Sequence, residues 1–272
     1  MRLSFLLSLT SIAGLLAACA ADLKPAEVSR ATDDLLVRRF DSTSRNSVVA
    51  HWRFQRGVPG HAVKPESLIL DSSGNDLHGI AHGSPVHRAM DFPGNNLALR
   101  FDGEDDRIAV PDHEALHLPA SMTLEATVQV ERYANDGLEQ IVFRGDSRAG
   151  FDPWYLAVDA QGRLVFEVTD DQNETSILRS PRALPIGAIL HVAGTLDDAT
   201  GTQSLWINAE RVATGHTKIR AIADLSGPDP GIGIGNWQIA GPQSFCGTID
   251  EVRISNIALA PHELLTPFLR PQ

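Results

Sequence analysis

The chain has 272 residues, 43% of them hydrophobic, with 34 acidic against 23 basic side chains and a formal net charge of −11. That balance supports a folded core. It excludes a nucleic-acid binder and a protein held on anionic headgroups by its own charge, and the two cysteines, Cys19 and Cys246, exclude a disulfide framework.

Residues 1–19 open with Arg2, run apolar from Leu3 to Ala18 and end on Cys19, the layout of an export signal. The run is short for a bilayer, where about 20 apolar residues are needed. Leu16, Ala17 and Ala18 directly before Cys19 resemble a bacterial lipoprotein signal. That resemblance implies an acylated Cys19 and a chain anchored to the cell envelope, with Ala20 after the cysteine favouring the outer membrane. An ordinary secretory signal cleaved near Ala20 or Ala21 fits the same layout. Losing Arg2 takes the formal charge from −11 to −12. With Cys19 lipidated, Cys246 has no intramolecular partner and reads as a half-buried apolar thiol just before a strand.

Residues 20–46 are polar and aperiodic and read as a tether, with a mean reach of about 30 Å if flexible. Val28, Leu35, Leu36 and Val37 fit one side of a short helix between Pro25 and Arg39.

From Ser47 the period becomes two. Residues 48–54 alternate Val48, Ala50, Trp52 and Phe54 against Val49, His51 and Arg53; residues 122–130 alternate Met122, Leu124, Ala126, Val128 and Val130 against Thr123, Glu125, Thr127 and Gln129. Each run is expected to bury one face and wet the other. Further strand-like runs follow at 97–111, 139–145, 154–159, 163–169, 189–196, 203–208, 231–236 and 247–254, separated by turns such as Asp159-Ala160-Gln161-Gly162. Many short strands point to an all-β fold, a two-sheet antiparallel sandwich over residues 47–272. Within residues 47–272 the one helical expectation is a turn or two at Pro261–Leu265, with Pro261 first.

The phrases HWRF, DSSGNDLHG, LRFDGEDDRIAVP, SMTLEATVQV, HVAGTLD, LWINAERVATG and GTIDEVRISNIALAPHEL occur in an order that resembles a laminin-G-like, concanavalin A-like lectin/glucanase domain of the bacterial type, over residues 48–266. The resemblance implies a jelly roll whose N- and C-terminal strands are neighbours. After Phe54 the family often carries an acid, and here Gln55 and Arg56 stand instead. The stretches 60–69 and 219–230 lie outside the motifs and are where ligand specificity is expected.

Acidic turns recur at Asp71, at Asp102 with Glu104, Asp105 and Asp106, and at Asp250 with Glu251. Calcium takes six to eight oxygens, and related folds often hold a structural calcium at such a spot, which implies Asp71, Asp102 and Asp250 as ligands with a carbonyl near Asn75. The same sequences are ordinary turns in which Asp caps amides.

No catalytic pattern is visible. The Glu-x-Asp-x-x-Glu strand of this fold's glucanases is absent, and Glu125 and Glu131 on one face are roughly 20 Å apart, beyond the separation that glycoside hydrolysis uses. The histidines form no metal-ligand pair and no serine sits in a nucleophile elbow. The sequence therefore predicts a non-catalytic binding module for carbohydrate or an extracellular or periplasmic protein. Trp154, Tyr155 and Trp237 are the candidate ligand-facing aromatics, and Trp52 and Trp206 belong to the core. A scaffold lipoprotein with no small ligand is the alternative, and a broad apolar patch on a sheet face would mark it.

Overall fold

The computed structural model describes residues 47–90 and 96–265; the expected signal, tether and Cys19 lie outside them. In chain order the strands are β1 (Val48–Trp52), β2 (Leu68–Ile69), β3 (Gly79–His82), β4 (Val86–Ala89), β5 (Leu97–Asp102), β6 (Arg107–Pro111), β7 (Met122–Val130) and β8 (Leu138–Gly145). They continue as β9 (Trp154–Asp159), β10 (Arg163–Thr169), β11 (Thr175–Ala183), β12 (Ile189–Asp197), β13 (Thr202–Ile207), β14 (Glu210–His216), β15 (Gly231–Ile234) and β16 (Cys246–Ser255). Sheet A runs β14-β13-β12-β7-β16-β5-β4 with β1 also on β16, and sheet B runs β11-β10-β9-β8-β15-β6-β3-β2. All pairings are antiparallel. The protein is the two-sheet β-sandwich that its period-two runs predict.

The core lies between the sheets. Met122, Leu124, Ala126, Val128 and Val130 of β7 and Ile249, Val252 and Ile254 of β16 share it with Trp154, Leu156 and Val158 of β9 and Leu164, Phe166 and Val168 of β10. Each fully buried side chain of this kind contributes about 1.5–3 kcal/mol. Close approach between layers decides one glycine: a Cβ on Gly194 of β12 would sit 2.6 Å from the Phe166 ring.

β16 organises sheet A. Along one edge it pairs with β7; along the other, Cys246–Ile249 pair with β5 and Val252–Ser255 with β1. The change of partner falls on a bulge after Asp250, where Glu251 takes φ 48°. An extra residue in one strand bends it and frees its edge for a new neighbour. This bulge brings the first and last strands together.

The expectation that Thr123, Glu125 and Thr127 are wet is corrected, since they are 0%, 0% and 3% exposed. The C-terminal segment crosses the outer face of sheet A above them. Thr123 Oγ1 donates to the Ile257 carbonyl and accepts from the Leu259 amide. Glu125 accepts from the Leu265 amide, from Arg253 Nε at 2.6 Å, and pairs with His191 Nε2 at 2.9 Å. Leu259 and Leu264 pack there on Ala193 and on Trp206, so Trp206 belongs to this outer cluster and not to the core between the sheets. The expected helix is one 3-10 turn, Pro261–Glu263, whose Glu263 carboxylate accepts from the Ala260 amide.

Burial alone would push Glu125 upward, but the His191 hydrogen bond, the Arg253 charge and the Leu265 amide outweigh it and hold the carboxyl below its ordinary range. A group depressed in the folded state contributes fully above its unfolded value, about 4.3, and loses that contribution as pH falls through the folded one. Glu125→Gln strands Arg253 and His191 and is expected to cost about 3 kcal/mol at pH 7 in urea unfolding. The difference from wild type should shrink below about pH 4; an undiminished difference there would show the charge is not what matters.

Candidate ligand-binding face

The three expected ligand-facing aromatics separate. Trp154 is fully buried between the sheets and reaches no surface, which corrects the expectation for it. Its neighbour Tyr155 points to the opposite side, as successive strand residues must. Tyr155 joins Phe143, Ala157 and Val165 in a second cluster on the outer face of sheet B, where Leu138 and Trp237 pack. Trp237 is half-buried, its ring 6.1 Å from that of Phe143, and its Nε1 donates to Gln243 Oε1 at 3.2 Å. Tyr155 and Trp237 therefore share one cluster, in which Tyr155 is buried and Trp237 partly open, and Trp154 lies on the inner side of the same sheet.

Register builds this face in rows. Glu167, Tyr155, Phe143, Gly233, Ala109 and Ile80 lie side by side on six adjacent strands, and Arg179, Val165, Ala157 and Gln140 form the next row. Gly233 is required here: a Cβ would sit 2.2 Å from the Asn236 carbonyl, because the loop after β15 folds back across it. That loop is held by Asn236 to Gly241 and Ser244 and by Gln140 to Gln243. It delivers Trp237 onto the face. Residues 219–230, expected to vary the ligand, are tied down instead. The buried Arg144 forks onto Asp112 at 2.9 and 3.0 Å and donates to the Ile222 and Ala223 carbonyls, and Asp146 accepts from the Gly227 amide.

Beside the aromatic cluster lies a groove of about 450 Å³, lined by Gly137, Leu138, Asp159, Ala160, Arg163 and Arg179. The volume falls in the range of small-ligand sites. Leu138 belongs to both groove and cluster. Asp159 is buried; its Oδ1 accepts from the Gln161 and Arg163 amides and its Oδ2 from Arg163 Nε at 2.8 Å, while Arg179 Nε stays 3.7 Å away.

Two further acids near this face were missed by sequence reasoning. Burial, reinforced by Glu167 and Asp146, pushes Asp152 up to about 7. Burial raises Glu167 as well, although Tyr155 donates to its Oε2 at 2.5 Å. A carboxylate on an alternating strand looks solvated in sequence; here the row of aromatics beside Glu167 dries it.

The three expected cation ligands do not converge. Asp71 spends its oxygens on four donors, the Ser73 hydroxyl and the amides of His51, Ser73 and Leu77, which hold it below its ordinary range against the opposing effect of burial. Asn75, the site of the expected carbonyl, donates its side-chain amide to the Val49 carbonyl. Asp102 faces Cys246, four residues from Asp250 along β16, or about 13 Å at the strand rise. Asp71 bridges Trp52, itself paired with Val252 beyond Asp250. These residues do not fit one calcium. Among the described residues, carboxylates close on a common point only at Asp102, Asp105 and Asp106, within 4.8 Å of one another. There Asp106 is buried and accepts from the Ser84 and Asp102 amides.

A model of the laminin G type, described as the concanavalin A-like lectin/glucanases superfamily, matches residues 102–265. The chain belongs to that superfamily. No curated protein sequence matches it. Solved structures similar to it include the binding domain of Paraclostridial Mosquitocidal Protein 1, at 15% identity and TM-score 0.60 over 81% of this chain and 51% of that one. The binding domain of botulinum neurotoxin serotype G aligns at 12% identity and TM-score 0.57 over 79% of this chain and 49% of that one. Domain 4 of AbnA, an extracellular arabinanase from Geobacillus stearothermophilus, solved with arabinotriose, aligns at 19% identity and TM-score 0.55 over 80% and 96%. The chain spans about half the length of the two toxin binding domains. At these identities the likeness shows the fold.

Asp250 gives this superfamily member a pH dependence of its own. It is 2% exposed; Asn96 donates to its Oδ2 at 2.6 Å, and Oδ1 has no partner among the described residues. Gln55, standing where the resemblance implies an acid, donates to Asn96 and so supports this contact. Burial pushes Asp250 up to about 7, as it does Glu139. A carboxyl raised on folding stabilises most below its unfolded value, near 4, and loses that contribution as pH rises through about 7. Stability should therefore decline between pH 5 and 8. Asp250→Asn is expected to flatten the decline and to gain on the order of 2 kcal/mol at pH 8, read by urea unfolding at both pH values; an unchanged slope would contradict it.

Proposed function

We propose that this protein is a non-catalytic carbohydrate-binding module, exported and held at the bacterial envelope by lipid on Cys19, with residues 20–46 as its tether. It takes its ligand on the outer face of sheet B. The observation that carries the reading is the groove at Leu138, Ala160, Asp159, Arg163 and Arg179, whose Leu138 packs on the buried Phe143 and Tyr155 and on the half-buried Trp237. An apolar wall beside a few fixed polar groups suits a sugar ring, which has apolar and polar sides. The arabinotriose complex of the AbnA domain and the binding domains of the two toxins support a binding role for the fold. Hydrolysis is disfavoured because the buried acids here are engaged, Asp159 by the Gln161 and Arg163 amides and the Arg163 guanidinium, and Glu167 by Tyr155 and Thr169.

The scaffold alternative wants a broad apolar patch. The exposed large hydrophobics among the described residues are Val58, Leu68, Ile177 and Ile186, on four separate segments. That favours the binding module. Calcium enters the proposal only at Asp102, Asp105 and Asp106, and the groove shares no residue with that turn.

On a glycan array the mature protein is expected to bind a restricted set of glycans, equally well with and without chelator. Array silence would favour the scaffold, and loss of binding on chelation would move the site to the acidic turn.

A further inference from the structure

We infer that the groove selects a sugar bearing a carboxylate, with Arg179 as the group that reads it; this rests on the binding module proposed above and names its ligand class. The chain as a whole carries −11, yet the charged residues lining the groove are two arginines and one aspartate. A cationic recess on an acidic protein concentrates anions locally against the general field.

The two arginines differ. Arg163 is committed, with Nε and Nη2 on Asp159 and a further bond to Gln161 Oε1 at 3.2 Å. Arg179 is not. It forms a loose ion pair with Asp159 at 3.7 Å, beyond hydrogen-bond reach, and among the described residues its side chain makes no hydrogen bond, while that side chain is 41% exposed. The register seats it beside Val165 on the edge strand β11, and Asp159 and Glu167 attract it electrostatically. The result is a guanidinium aimed by charge with its fork unspent. A planar fork of N–H donors matches a carboxylate with two parallel bonds.

The wall argues for a sugar over an acidic peptide. Leu138 and Ala160 supply a short apolar surface and Gln161 a polar rim within a concave space of about 450 Å³, the shape of a small-ligand site. An extended acidic peptide would instead add to the free edge of β11 through its main chain.

Calorimetric titration of the mature protein tests this with trigalacturonate and 3′-sialyllactose, each against its neutral counterpart, the methyl ester and lactose. At least one acidic probe is expected to bind, and its neutral counterpart about tenfold or more weakly. Arg179→Gln should remove that preference with an unchanged melting temperature. Arg179→Lys should restore it in part, and Arg211→Gln, on sheet A beside Trp206, should leave it intact. Equal binding of the neutral counterpart, or an acidic preference that survives Arg179→Gln, would overturn the inference and leave the binding module standing. Silence toward these probes and toward the whole array would remove both. Arg179-dependent binding of tetraglutamate without any sugar binding would overturn the sugar in favour of a protein ligand.

Discussion

The pairing of β16 with three partners is the constraint on which the rest of this structure depends. Ten residues, Cys246–Ser255, lie against β7 on one side and against β5 and then β1 on the other. Val48 faces Ser255 across this seam, so the sandwich closes only when the two ends of the domain meet. Contacts that distant in sequence carry a large closure entropy before they return any stability, and folds dominated by them form slowly. The Asp250–Glu251 bulge makes the arrangement geometrically possible. It also accounts for Asp250 being buried: at the change of partner the side chain is enclosed before a second strand supplies a donor for Oδ1.

Carboxylates divide the molecule into those held low by donors and those raised by burial. Asp71, Glu125 and Asp146 are surrounded by donors and held low, and each ties a loop or tail to a sheet. Asp152 and Glu167 are raised by burial on the outer face of sheet B, where the donors are fewer and the neighbours aromatic. Keeping such groups dry costs stability. Clusters of that kind persist where a surface is shaped for recognition. Sheet A covers the outer face of β7 and β12 with the C-terminal segment, and sheet B covers its outer cluster with the loop after β15, so that Trp237 and the groove residues are what stay accessible beside it.

The fold was legible because most strands carry a clean period of two. β7 spans Met122–Val130 as its alternation implies, and the run read as a strand at 231–236 contains β15, Gly231–Ile234. Elements with no apolar alternation were not legible. β11, reading Thr-Ser-Ile-Leu-Arg-Ser-Pro-Arg-Ala, is an exposed edge strand with little to bury, so it signals nothing, and Arg179 sits on it. Trp154 and Tyr155 differ by one residue and therefore by a whole layer; adjacent aromatics cannot both face a ligand. The outer face of β7 looked wet because only tertiary structure places Leu259–Leu265 above it. Asp71, Asp102 and Asp250 look alike in sequence, and only the pairing of β1, β5 and β16 sets them apart.

The central claim is that sheet B, through β8–β11, is where this protein meets its ligand. Amide chemical-shift mapping during titration with an array-positive glycan tests it most directly. The account predicts shifts concentrated on residues 137–145, 154–163 and 175–183 and on the indole of Trp237, with the Asp102–Asp106 turn and sheet A silent. Shifts confined to that turn, or to the C-terminal segment over Glu125, would contradict it.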